Sequence, residues 1–132
     1  MKIIKTIDKY SIWRNKQKKS IGFVPTLGAI HKGHLSLIKK SIKHCSNTVV
    51  SIFLNPTQFA PNEDLNSYPK TLDADIELLK TLNINILFLP DAEEMYEKSP
   101  DVNIHSNDLF NKLEGKSRPH FFYGVTTIVS KL

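Results

Sequence analysis

Cysteine is nearly missing from this chain: Cys45 stands alone among 132 residues. A lone thiol excludes an intrachain disulfide framework, and its place on the apolar side of a helical pattern reads as a small hydrophobe rather than a nucleophile. Long apolar runs are missing as well. No stretch nears the roughly 20 residues that a spanning helix needs, and the opening "MKIIKTIDKYSIWRNKQKK" lacks the apolar core of a signal peptide. A cytoplasmic protein with no membrane partner is expected. Acidic residues are outnumbered, 13 against 18 lysines and arginines, which leaves a formal charge of +5 and a pI near 9.3. The lysines are scattered, however, and the densest cluster, "RNKQKKS" from Arg14 to Ser20, carries no interleaved aromatic for base stacking. It reads as a solvated loop, and no nucleic-acid partner is expected.

What the chain does have is an alternation of two hydrophobic periods. With 40% hydrophobic residues, its length supports one packed domain without metal or disulfide. Ile7 to Lys16 reads as a short helix with Ile7, Ile12 and Trp13 facing inward, and "IGFVP" (Ile21 to Pro25) as a short buried strand. From Leu35 the apolar positions Leu35, Ile38, Ile42 and Cys45 fall at helical spacing, with Lys39, Lys40 and Lys43 opposite. "TVVSIFL" (Thr48 to Leu54) is a β-branched and aromatic run of the kind found in strands covered on both faces. Thr71 opens another helix, with Asp73 and Asp75 in its first turn, where the dipole favours acids, and Leu72, Ile76, Leu79 and Leu82 as its inner stripe. "INILFLP" (Ile84 to Pro90) is a third strand. Strand, helix, strand, helix, strand with short joins is the pattern of an α/β fold with a doubly wound, Rossmann-like parallel sheet, whose ligands sit at the carboxyl ends of the strands. Beyond Pro90, "DAEEMY" suggests a turn and short helix, "VNIHS" an edge strand, and "GVTTIVSKL" a helix or strand.

Two segments fall at that carboxyl edge. In "PTLGAIHKGH", His31 and His34 stand three residues apart at a helix start, so both side chains share one face. The N–H groups and positive dipole end of that turn suit an anion, and Gly28 and Gly33 let backbone approach a phosphate closely. Imidazoles there can donate to oxygens whose charge grows as an α-phosphorus is attacked. The plainer reading makes His31 a surface residue at a helix end and His34 a satisfied, half-buried one. No third ligand stands nearby in sequence, so no metal site is expected. The second segment, "NPTQFAPNEDLNSYPKT", is long, polar and proline-rich, as active-site loops often are. Asn55 and Gln58 offer amides for a small polar substrate, or Asn55 caps a turn and Gln58 lies in solvent. Tyr68, before Pro69, reads as a lid residue or as a packed ring.

Taken in order and spacing, "GFVPTLGAIHKGHLSL", "VVSIFLNPTQFAPNEDLNSYPKTLDAD", "EEMY" and "LEGKSRP...GVTTIVSKL" resemble the pantothenate synthetase family, the pantoate:β-alanine ligases, within the wider HxGH nucleotidylyltransferase superfamily. "NPTQF" followed by "YPKT" carries more of the resemblance than HxGH, which the superfamily shares. The resemblance implies an ATP-dependent, AMP-forming ligation in two steps. Pantoate and ATP give pantoyl adenylate and pyrophosphate, and the β-alanine amine then displaces AMP. Mg2+ would accompany the nucleotide. It further implies that Leu27, Gly28, Ala29, Ile30, His31, Lys32, Gly33 and His34 line the ATP site, with His34 as proton donor and His31 supporting the phosphates. Gln58, with Asn55 near it, would bind pantoate at a place shared with β-alanine.

The chain departs from the family pattern in three respects. Leu27 stands where the family usually has methionine, a swap of similar volume. His120 is displaced by one position from the family's Gly-His-Phe and is left out of the site. The family also runs to roughly twice this length. The resemblance therefore implies that residues 1–132 are an incomplete N-terminal nucleotide-binding domain, with the C-terminal domain outside them. On this view "SKL" is an interrupted family motif rather than a peroxisomal address, and the full-length form is a homodimer. Two other readings stay open: a nucleotidylyltransferase with another acceptor, and a noncatalytic remnant or subunit that binds nucleotide.

Overall fold

The computed structural model describes residues 1–55, 71–96, 110–118 and 121–132. The chain divides into two compact units, Met1–Leu54 with Pro69–Asp91, and Asn55–Tyr68 with Ala92–Leu132. The first unit is built on four strands, β1 (Lys2–Ile4), β2 (Ile21–Thr26), β3 (Asn47–Ile52) and β4 (Ile86–Phe88), with α1 (Ile7–Asn15), α2 (Lys32–His44) and α3 (Leu72–Lys80) between them. The sheet order is β1-β4-β3-β2 and every pairing is parallel. Parallel neighbours require a crossover, and right-handed crossovers leave few choices of face. From β1 the chain steps to the far edge, then returns one strand at a time, so α1 belongs on one face and α2 and α3 on the other.

The packing agrees. Val50 and Ile52 of β3, Val24 of β2 and Leu87 of β4 form one cluster with Ile38 of α2, Leu79 of α3 and Ile84. On the opposite side of the pleat Phe88 stacks on Tyr10 of α1, ring centroids 4.7 Å apart. The β-branched run of β3 is central and fully covered, with Val49 and Val50 at zero exposure, as a strand buried on both faces requires.

The expected doubly wound parallel sheet is therefore present, with local differences. The edge strand β1 was not expected, because three residues carry too little pattern to show. Ile12 was expected to face inward, yet it is 57% exposed; Tyr10 makes the contact with the sheet instead, because a nine-residue helix touches the sheet along only one narrow line. Leu72 is likewise exposed rather than part of the inner stripe of α3. Helix α2 starts at Lys32, three residues before Leu35, since the histidines themselves form its cap. Cys45 is half-buried, just past the end of α2.

The second unit includes α4 (Ala92–Tyr96), α5 (Glu114–Ser117) and α6 (Phe121–Lys131). "DAEEMY" is the short helix expected, and most of "GVTTIVSKL" is helical. "VNIHS" and His120 lie outside the described residues. Among those residues no helix is long and apolar enough to cross a membrane.

Gly22 sets how closely α2 approaches β2. A Cβ there would stand 1.9 Å from Ser41 Oγ and 3.1 Å from Cys45 Sγ, and Ser41 Oγ is already paired with the buried Thr48 hydroxyl at 2.8 Å. Gly22→Ala must push Ser41 off that partner and is expected to cost about 1–3 kcal/mol. Urea denaturation measures this, and an unchanged midpoint would mean that the helix has room to move.

Candidate active site

The site begins where β2 ends. Thr26 Oγ1 donates to the Ser51 carbonyl of β3 at 2.9 Å and accepts from the Gly28 N–H at 3.1 Å. One hydroxyl thus ties the ends of neighbouring strands together and starts the turn into α2. Gly28 has φ of +90°, where a side chain would be strained, and Ala29 follows at +51°. A non-glycine residue in that left-handed region costs about 1–2 kcal/mol, so something must hold it.

The holder is Asp75 of α3. Its Oδ2 accepts from the Ala29 N–H and its Oδ1 from the Ile30 N–H, both at 2.8 Å. Thr71, the residue that caps α3, donates its hydroxyl to Oδ2 at 3.0 Å. Asp75 is 4% exposed, and hydrogen bonds to a charged acceptor contribute about 1.5–3 kcal/mol each, enough to offset the strain at Ala29. The acid was expected to interact with the helix dipole; instead it is a buried clamp on the turn. A signal for this lay in the sequence, because Asp75 occupies the stripe it shares with Leu79 and Leu82, where an apolar residue belongs.

Beyond the clamp, the two histidines cap α2 reciprocally. His31 Nδ1 accepts from the Gly33 N–H at 3.1 Å, and His34 Nδ1 accepts from the His31 N–H at 3.4 Å. This is the logic of a capping box carried out by imidazoles. Each neutral ring that accepts at Nδ1 carries its proton on Nε2, so two N–H donors point away from the turn. The ring centroids lie 4.0 Å apart. Burial lowers the pKa of His34, the neighbouring His31 lowers it further, and the Asp75 carboxylate opposes both. A neutral His34 donor at the start of a thirteen-residue helix suits an oxyanion.

Leu27 to His34 therefore lie together on one connection at the carboxyl edge of the sheet. Asn55, fully buried, belongs to the second unit, where its Nδ2 donates to the Gly124 carbonyl at 3.0 Å and its Oδ1 accepts from the Tyr96 hydroxyl. Gln58 and Tyr68 lie outside the described residues. No group of three or more His, Cys, Asp or Glu placed to hold a metal occurs among the described residues.

Comparison with known proteins agrees along the whole chain. The family model described as pantoate-beta-alanine ligase matches residues 2–132. The pantoate--beta-alanine ligase of Saccharomyces cerevisiae is 47% identical over 148 residues, covering 100% of this chain and 47% of the relative. The pantothenate synthetase of Pseudothermotoga lettingae is 49% identical over 134 residues, covering 100% and 48%. The chain thus spans about half the length of the curated relatives it matches. Among solved structures, the pantoate-beta-alanine ligase of Francisella tularensis, complexed with beta-gamma ATP and beta-alanine, superposes with a TM-score of 0.90 at 43% identity, over 99% of this chain and 51% of that one. The Thermus thermophilus enzyme superposes with a TM-score of 0.86 at 36% identity, over 98% and 47%.

The depressed pKa of His34 has a sign that can be tested. A folded value below the unfolded one stabilises the fold fully above about pH 6.5, the ordinary imidazole value, and that stabilisation is lost as pH falls through the folded value. Proton NMR is expected to place the His34 midpoint below that ordinary value. In His34→Gln the decline in stability between pH 7 and 5 is expected to shrink. A midpoint above the ordinary value would contradict a ring kept neutral by burial.

Proposed function

The chain belongs to the pantoate-beta-alanine ligase family, and from that premise we propose that the whole protein condenses pantoate with β-alanine at the cost of ATP. The observation that carries the reading is the pair of histidines capping α2, held by the Asp75 clamp, in a chain matched from end to end by relatives of this activity. A pantoate carboxylate oxygen attacks the α-phosphorus, the bond to the bridging oxygen breaks, and pyrophosphate leaves. The β-alanine amine then attacks the acyl carbon of the adenylate, the amide bond forms, AMP departs, and the amine proton passes to solvent.

Residues Leu27 to His34 line the nucleotide in this reading. The Nε2–H groups of His34 and His31 donate to phosphate oxygens, where preorganised donors act most strongly on charge that develops in the transition state. Lys32, exposed beside them, adds positive charge. Gln58 and Asn55 take the acceptor role in this reading, and Tyr68 the role of a lid residue. The neighbour solved with beta-gamma ATP and beta-alanine supports both ligands. Magnesium enters with the nucleotide. Both oxygens of Asp75 are turned to protein donors, so the described residues suit a cation carried on phosphates and water better than one held in a protein-built cage. The protein acts as a homodimer in the cytoplasm, without a nucleic-acid or membrane partner.

Exchange of labelled pyrophosphate into ATP by the whole protein tests the first step. It is expected to require pantoate and to fall by about 100-fold or more in His34→Ala. Exchange that proceeds equally without pantoate would overturn the ligase reading and favour a nucleotidylyltransferase with a different acceptor.

A further inference from the structure

The Asp75 clamp and the histidine cap bear on successive peptide groups of one turn. Ala29 and Ile30 give their N–H groups to the carboxylate, at 2.8 Å each. The next N–H, that of His31, goes to His34 Nδ1 instead, and the Gly33 N–H goes to His31 Nδ1. Among the described residues the carboxylate makes no hydrogen bond to either ring; its partners are Ala29, Ile30 and the Thr71 hydroxyl. Its grip on the rings therefore passes through the backbone. The base of that grip is rigid, since α3 is fixed to the sheet by Leu79, fully buried in the cluster with Val50 and Leu87.

We infer that Asp75 is a positioning residue that sets the tautomer and direction of both imidazole donors without touching them, by holding the peptide groups from which they hang. The inference rests on the ligase reading only in taking those donors to face phosphate. A ring that accepts at Nδ1 carries its proton on Nε2, and His34 can accept only while the His31 N–H stays within its reach. Peptide groups are planar, so φ and ψ of Ile30 alone separate that N–H from the one the carboxylate holds. The two turn amides lie on different carboxylate oxygens. An amide side chain of the same shape has one acceptor oxygen and therefore leaves at least one of them unpaired. Ala29, with φ of +51°, then loses a bond that holds it in a region disfavoured for its side chain. The rings lose the fixed N–H groups that set their tautomer.

Nitrogen NMR of the whole protein is expected to show His31 and His34 as the Nε2–H tautomer. Asp75→Asn is expected to turn this into a mixture and to speed hydrogen exchange at the Ala29 and Ile30 amides by about 10-fold or more. It is also expected to weaken calorimetric binding of MgATP by about 10-fold and to lower kcat for pyrophosphate exchange by on the order of 100-fold, because the donors act most strongly in the transition state. Removing a negative charge near the nucleotide would by itself tighten binding, so a weakening reports lost alignment. A purely structural Asp75 would lower thermal stability and leave the tautomers and the kcat of the folded protein unchanged. A folded Asp75→Asn protein with wild-type tautomers and wild-type MgATP affinity overturns the proposal. Should Asp75→Asn fail to fold, the wild-type protein decides: protected Ala29 and Ile30 amides with both rings as Nε2–H support the proposal, and unprotected amides or an Nδ1–H His34 overturn it. Pyrophosphate exchange that does not require pantoate refutes the ligase reading, while the tautomers and the MgATP affinity still decide the role of Asp75.

Discussion

A buried carboxylate bound by two successive backbone N–H groups governs the turn from β2 to α2. Without Asp75, Ala29 would lose the bonds that hold it in left-handed geometry, and the turn leading to the capped start of α2 would lose its brace. The arrangement uses a general property of such turns: successive N–H groups facing one way make a concavity that attracts an anion. Here the protein supplies the anion itself, from a neighbouring helix. The N–H groups of Ala29 and Ile30 are thereby committed to the protein, and the donors turned outward belong to the imidazoles.

The histidines act as caps before they act as chemistry. Each uses Nδ1 to satisfy a backbone N–H at the start of α2, and that same bond sets which nitrogen carries the proton. Structural and chemical requirements are met by opposite ends of the same ring. Burial and the neighbouring ring both disfavour a charged His34, so the site presents directed hydrogen bonds rather than a second positive charge. This suits a group whose negative charge moves between oxygens during reaction, since fixed dipoles need no rearrangement as it does so.

Much of the site was legible in the sequence because its signals are local. The HxGH spacing, the glycines and the position just after an apolar strand all lie within a dozen residues, and a helix cap is a short-range device. The clamp role of Asp75, read only as a first-turn acid, was hidden for the opposite reason: its partner Ala29 lies 46 positions away, and no periodicity says which distant N–H a carboxylate will meet. Thr26 is similar, an ordinary strand residue until the Ser51 carbonyl is brought alongside it by the pairing of β2 with β3. Asn55 shows the reverse, a residue marked by its motif whose amide is engaged with Gly124 and Tyr96 inside the second unit.

By itself the sequence determined the alternation of strands and helices, the parallel character of the sheet and the place of the histidines at its carboxyl edge. Those follow from hydrophobic period and from short-range sterics, which each segment carries within itself. Only the tertiary structure decided that β1 pairs with β4, that Tyr10 rather than Ile12 covers Phe88, and that Asp75, a first-turn acid of α3, is a buried clamp on a distant turn. Each of these depends on which elements become neighbours, and burial of a polar group is settled by the partner that the fold brings to it.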